Sequence, residues 1–498
     1  VNRTTLSLFA GTAALAAVTA VATLTAPDAT GTDADTARAA AQLPVERTSL
    51  ACPAPSSSDL AETAYTSFTP VTKGAGGDGK AELGSATRKS TDDGAKQEDE
   101  PAKPALKPAK PGTPAAGDAS GADAPALIGT AEGAYAPGWT VQQTTEVTAG
   151  TGRGLQGVNC TAPDTEFWFP GASTGAGRTD YLHLTNPDDS AAVVDIELYG
   201  KDGALESPAG EGMTVPPRST EPILLSTLTE EEQTNLTVHV IVRGGRVGAA
   251  VQALDDKLGG DWLTASADPT GSLVLPGIPK DATAVRLVAF SPGDTDADLK
   301  VRLASPSGLI TPAGSETLHV KAGMTTAIDL GEVTRGEAGS LVLTPTDRSV
   351  PVVAAVRVLR GKGAGQETAF IPATEAVETR ASVAGNGAKD TTLSLTAPGE
   401  TAKVKVTASA GSEGGTPVSR TYTIKSATTQ DVELPVPSGL KGTYALTVEP
   451  VSGGPVHAAR TVTANQDGVP AFTVQTLPDD RGTVAVPQVE EDLSVLQD

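Results

Sequence analysis

Gly171-Ala172-Ser173-Thr174-Gly175 has the spacing of a nucleophile elbow, where a strand turns sharply into a helix and lifts a serine hydroxyl beside an oxyanion hole. A strand-like run, Phe167-Trp168-Phe169-Pro170, does precede it. Ala176-Gly177-Arg178-Thr179 and a second alternating run follow, where a helix is required. The corresponding turns around Gly277 and Ala373 lack the serine pattern. Ser173 therefore carries a serine-hydrolase reading, against which stands a plain glycine-rich connection between strands.

The other reactive residue types are sparse. His183, His239, His319 and His457 are the only histidines, and none falls in H-E-x-x-H or another metal-binding spacing. His183 and His319 alternate with apolar neighbours, so both are expected to face solvent. Asp294-Thr295-Asp296-Ala297-Asp298 opens like a calcium loop, but Leu299 stands where an EF-hand needs glycine and Ser305 where it needs glutamate. An acidic turn is expected there, with calcium binding left open. Among the three tryptophans, Trp168 lies between two phenylalanines in a strand and belongs in a core. Trp262 follows Gly259-Gly260-Asp261 in a connection. It is the candidate binding residue, since an exposed indole offers an apolar face and a polar edge to a sugar or peptide. The sequence supplies no catalytic set, no metal-ligand set and no cofactor motif.

The elements around these residues repeat. A strand ending in proline recurs at Phe167-Trp168-Phe169-Pro170, Leu273-Val274-Leu275-Pro276 and Ala369-Phe370-Ile371-Pro372. A strand running into a turn recurs at Asn186-Pro187, Ser291-Pro292 and Ala397-Pro398, and period-two runs follow. Ile196, Val301 and Val406 are spaced by 105 residues both times. Short alternating segments bounded by Gly, Pro, Asp and Asn, with no helical period, predict antiparallel β-sandwiches. The fold class expected is all-β, with three tandem immunoglobulin-like sandwich domains. A jelly roll is the second choice and a propeller with large blades the third. Aromatics are only 3% of the chain, so the cores must use Val, Leu, Ile and Ala.

The formal charge of −23 argues against nucleic acid as a partner, because phosphate binding needs clustered Lys and Arg. At the amino terminus, Arg3 precedes an apolar, alanine-rich stretch from Leu6 to Leu24, with A-x-A sites at Ala20-Val21-Ala22 and Ala37-Arg38-Ala39. Residues 1–26 read as a signal peptide or membrane anchor, and 27–42 as a spacer. Contact with a membrane is expected only through that segment. Cys52 and Cys160 are the only cysteines, and in an exported chain they predict one disulfide. Residues 69–125 are rich in Lys, Pro, Ala and Gly, as in Lys107-Pro108-Ala109-Lys110-Pro111, and read as a disordered insert. The disulfide makes that insert an excursion from the first domain. The expected boundaries are then 43–68 for the N-terminal strand region of the first domain, 126–272 for its sandwich, 273–368 for the second, and 369–498 for the third with a C-terminal tail.

Arg47-Thr48-Ser49-Leu50-Ala51-Cys52-Pro53, Arg153-Gly154-Leu155, Trp168-Phe169-Pro170-Gly171, Leu184-Thr185-Asn186-Pro187 and Gly260-Asp261-Trp262 together resemble an uncharacterised family of exported proteins of high-GC Gram-positive bacteria, a domain of unknown function. The resemblance implies secretion or envelope attachment and an association with envelope glycan assembly, and it carries over no catalytic residue. The functional expectation is an exported cell-envelope protein, not an enzyme, that scaffolds a partner protein or glycan. A glycan- or peptide-binding module using Trp262 is the alternative, and a serine hydrolase through Ser173 the second.

Overall fold

The computed structural model describes residues 41–86, 105–466 and 469–486. The expected signal or anchor, 1–26, lies outside them, as does most of the spacer. Ala41–Pro44 pairs with Thr483–Val486 in a two-stranded sheet, and residues 44–482 form a compact unit of their own.

The period-two runs form strands as their alternation requires. In Ala192–Gly200, Ala192, Val194, Ile196 and Leu198 are buried, while Val193 and Glu197 are exposed. Asp195 on the outward side is buried but paired with Arg243 and accepts the Gly212 amide at 2.8 Å. Each run buries its apolar side against a second sheet, and one hydrophobic cluster draws on both sheets of a pair.

All described sheets are antiparallel, and the pairs are wired alike. Within 166–263, 273–372 and 381–477, seven strands recur. Counted along each module, they order 1-5-3 in one sheet and 4-2-6-7 in the other, with short extra strands beside the third. The sandwich architecture is therefore present, but the pairing order is not that of an immunoglobulin constant domain, whose sheets run 1-2-5-4 and 3-6-7.

The number of modules corrects the sequence reading. Residues 47–159 form a fourth copy with the same 1-5-3 and 4-2-6-7 order. Its third and fourth strands, Gly79–Ser85 and Ala115–Ser120, lie inside the stretch expected to be disordered. Leu83 and Leu106, both buried, pair backbone to backbone and join the core of this copy. Of the 69–125 insert, residues 87–104 lie outside the described ones. Strands Leu127–Gly133, Thr140–Val147 and Gly154–Asn159 pair within this copy and not with residues 166–263, where they were expected.

Nor do the modules form an open array. The seventh strands, Gly154–Asn159, Gly259–Leu263, Glu367–Pro372 and Val469–Leu477, are the inner strands of a ring. They touch in cyclic order, the fourth returning to the first. The first strand of each module packs on the second and sixth strands of the next, and the first strand of the fourth module packs on the first module. Trp168 of the second module meets Phe290 and Val353 of the third. At the closing seam, Phe68 packs on Ala384 and Ala445. There the Ala384 amide donates to Gln142 Oε1 at 2.7 Å, and Asn159 Nδ2 donates to the Thr476 carbonyl at 2.8 Å.

Candidate functional site

Two places in the ring concentrate chemistry-bearing residues: its axis and one seam.

At the axis, Asp261 is fully buried on the second inner strand. It accepts the Gly157 amide of the first inner strand at 2.9 Å and the Thr473 hydroxyl of the fourth at 3.0 Å. Its neighbouring amide, Trp262, and that of Phe370 on the third inner strand also favour its charged form, yet burial is larger and pushes the carboxyl well above the usual range. One side chain thus engages all four modules. Gly157 permits it: a Cβ there would stand 2.6 Å from the Thr473 side chain.

The same end of the inner strands holds three further charged pairs. Arg153 contacts Glu367 across the axis and donates to the carbonyls of Lys257 and Gln366 at 3.0 and 3.1 Å. The Glu367 carboxylate fills space that a Cβ on Gly154, itself at positive φ, would occupy. Arg178 pairs with Asp180 and Arg357 with Asp255, and the two guanidiniums lie 5.5 and 5.9 Å from the Phe370 ring centre. These groups point at protein partners. What the arrangement does chemically is to lock the modules in register.

Burial pushes Glu367 up to about 7 against the pull of Arg153. Folding then takes up a proton at Glu367 at pH values between the unfolded pKa, 4.5, and 7. The sign follows: stability from this group is full below 4.5 and is lost as pH rises through 7. Glu367→Gln abolishes the titration. Between pH 4.5 and 8 the wild type is expected to lose roughly 3 kcal/mol of unfolding free energy relative to Glu367→Gln. Urea denaturation across that range reads the difference, and parallel profiles would show that Glu367 does not titrate there.

The seam between the third and fourth modules opens into a cleft of about 820 Å³. Leu273, Val274, Val342 and Leu343 line its floor, and the connections 264–272 and 373–380 with the stretch after Leu477 build its rim. His457, buried at the wall, is held by burial down to about 4 and is neutral at pH 7. Its Nδ1 bonds to the Thr374 carbonyl at 3.0 Å; the carbonyl can only accept, so Nδ1 carries the hydrogen and Nε2 is an acceptor. Asp268, Glu375, Glu378, Asp479 and Arg481 stand around the opening.

The residues singled out from sequence lie elsewhere. Trp262, expected exposed, is 2% exposed; it packs on Val158 and Ala250, with His183 edge-on at 5.2 Å. It presents no free face for a sugar, because the connection expected after Gly259 is an inner strand. His183, expected to face solvent, is buried with it, since the first module covers the outer face of its sheet. His319 is exposed and bonds Asp298 at 2.8 Å. Ser173 is buried, donates to the Gln233 carbonyl at 3.0 Å and accepts the Gly175 amide, and no helix follows it. Asp296 accepts the Ala322 amide, and Asp294 accepts the Thr295 hydroxyl. Among the described residues no three metal-ligating side chains converge. Cys52 and Cys160 form the expected disulfide. Sequence reasoning missed Asp261, Glu367 and His457; the Gly-Gly-Asp before Trp262 was visible, but no local signal marks a residue that meets three other modules.

Fold and site together define an all-β protein of four antiparallel sandwich modules closed about a charged, buried axis, with a ligand-sized cleft at one seam. Residues 115–435 match the model of the Family of unknown function (DUF5719), and the chain belongs to that family. The matched stretch starts at the fourth strand of the first module and ends within the fourth module, so it holds three of the four inner strands, with Asp261 and Glu367, and ends before the fourth inner strand and before His457, Asp479 and Arg481 of the cleft. No curated protein and no solved structure matches the chain.

Proposed function

We propose that the chain is an exported cell-envelope protein that works as a non-enzymatic scaffold, presenting a rigid ring to a partner protein or glycan during envelope glycan assembly. The observation that supports this most is the Asp261 junction, where a single carboxylate ties the inner strands together. Polar side chains are spent there on interlocking modules, which suits a stiff platform. The Cys52–Cys160 disulfide suits an oxidising compartment. The resemblance of the sequence motifs to an exported family supplies the envelope and glycan terms.

The glycan- or peptide-binding alternative passes from Trp262 to the seam cleft, an opening with apolar floor and polar rim. The hydrolase alternative has a buried Ser173 whose hydroxyl already donates to a carbonyl.

Fractionation of cells, followed by in-cell crosslinking and mass spectrometry, tests the reading. The chain is expected in the envelope or medium, crosslinked to envelope components. Recovery in the cytosol alone would overturn it.

A further inference from the structure

We infer that the cleft between the third and fourth modules binds an extended peptide segment of a partner protein through lysine or arginine side chains. This deepens the scaffold reading and rests on it only for the place where the partner is met.

Size and floor suit such a segment. A volume of about 820 Å³ lies within the range of ligand sites. Val274 and Val342, 7% and 6% exposed above the buried Leu273 and Leu343, offer apolar contact to the methylene stems of long cationic side chains, which bury along such surfaces while their heads stay polar. No phenylalanine, tyrosine or tryptophan lines the cleft, so it lacks the broad stacking platform that a sugar would use.

Charge decides the sign of the ligand. Asp479 is consumed by the amides of Glu378, Thr379 and Arg481. Arg481 engages both oxygens of Glu375 at 3.0 Å. Asp268 and Glu378, both exposed at the rim, make no ion pair or side-chain hydrogen bond among the described residues. His457 adds an acceptor nitrogen and no positive charge. What the cleft offers, then, is two carboxylates outside any contact ion pair, with Arg481 acting on Asp268 at longer range, and an acceptor beside a low-dielectric floor, where opposite charge is attracted more strongly than in open water. An ammonium or guanidinium supplies only donors and fits; an anionic segment or nucleic acid is repelled.

Fluorescence anisotropy with a fluorescein-labelled peptide of three Ala-Pro-Lys repeats tests this on the full chain. A general attraction of a chain of charge −23 for cations must be separated from the cleft. Asp268→Asn/Glu378→Gln is therefore set against Glu206→Gln/Glu211→Gln, which removes the same charge from exposed positions on the second module. The expected result is saturable binding to wild type and to the second-module variant alike, at least tenfold weaker binding to the cleft variant, and none for the peptide with glutamate in place of lysine. Absence of saturable binding, or equal weakening in both variants, would overturn the assignment. All four substituted residues are exposed, so folding is not at stake. Cell fractionation decides export independently of this titration, so failure of one does not imply failure of the other.

Discussion

Replacing Cys52 and Cys160 together by alanine is expected to lower the unfolding free energy by about 4 kcal/mol, the scale set by closing a loop of about 100 residues. The bond spans 108 residues and is buried in the core of the first module. It joins the end of the first strand, Arg47–Cys52, to the segment just after the inner strand Gly154–Asn159. That first strand pairs along its length with Leu127–Gly133, Ala51 bridges Thr161 beside Cys160, and its far side packs on the second module. Without the bond the strand is held by one ladder, one two-bond bridge and one seam, and the unfolded chain regains the freedom of the whole loop. Urea titration of the double variant against wild type reads the effect. A loss under 1 kcal/mol would show that the pairing and the seam hold the strand unaided.

Phe370→Ala is expected to cost a further kind of stability, about 3–5 kcal/mol, typical of emptying a buried aromatic site. Phe370 belongs to the inner strand of the third module, yet its ring sits in the hydrophobic cluster of the second, 1% exposed. Its removal leaves a void between two modules and takes the aromatic face from Arg178 and Arg357. Limited proteolysis should therefore cut faster in the connection 264–272, which joins those modules. Leu395→Ala, within the core of the fourth module, serves as comparison: it should destabilise without exposing that connection. Equal cleavage in both variants would remove the claim that Phe370 holds the seam.

The parts of this molecule that were legible in its sequence are those written in neighbouring residues. Ala192, Val194, Ile196 and Leu198 announce one buried side of a strand, and the 105-residue spacing of Ile196, Val301 and Val406 announces equivalent strands in three modules. The fourth copy was not legible, because residues between its third and fourth strands carry so much Lys, Pro and Ala that the whole stretch reads as unable to fold. Leu83 and Leu106 were the faint sign to the contrary.

The seams were hidden for a different reason. Gly248, Ala250 and Gln252 face the first module with residue types that an open sheet surface also uses. Nothing in their period distinguishes a face covered by another module from one covered by water. The same ambiguity misplaced Trp262 and His183, and it left Asp261 unnoticed.

By itself, then, the sequence determined the all-strand character, the repetition and the pairing of its two cysteines, since alternation, spacing and a lone pair of thiols are properties of the chain as written. Tertiary structure alone decided that there are four modules and that they close, that Asp261 sits on the axis, and that the open cleft lies between the third module and the fourth. Those outcomes depend on surfaces far apart in the chain meeting with matched shape and charge, and no short stretch of residues encodes which surface it will meet.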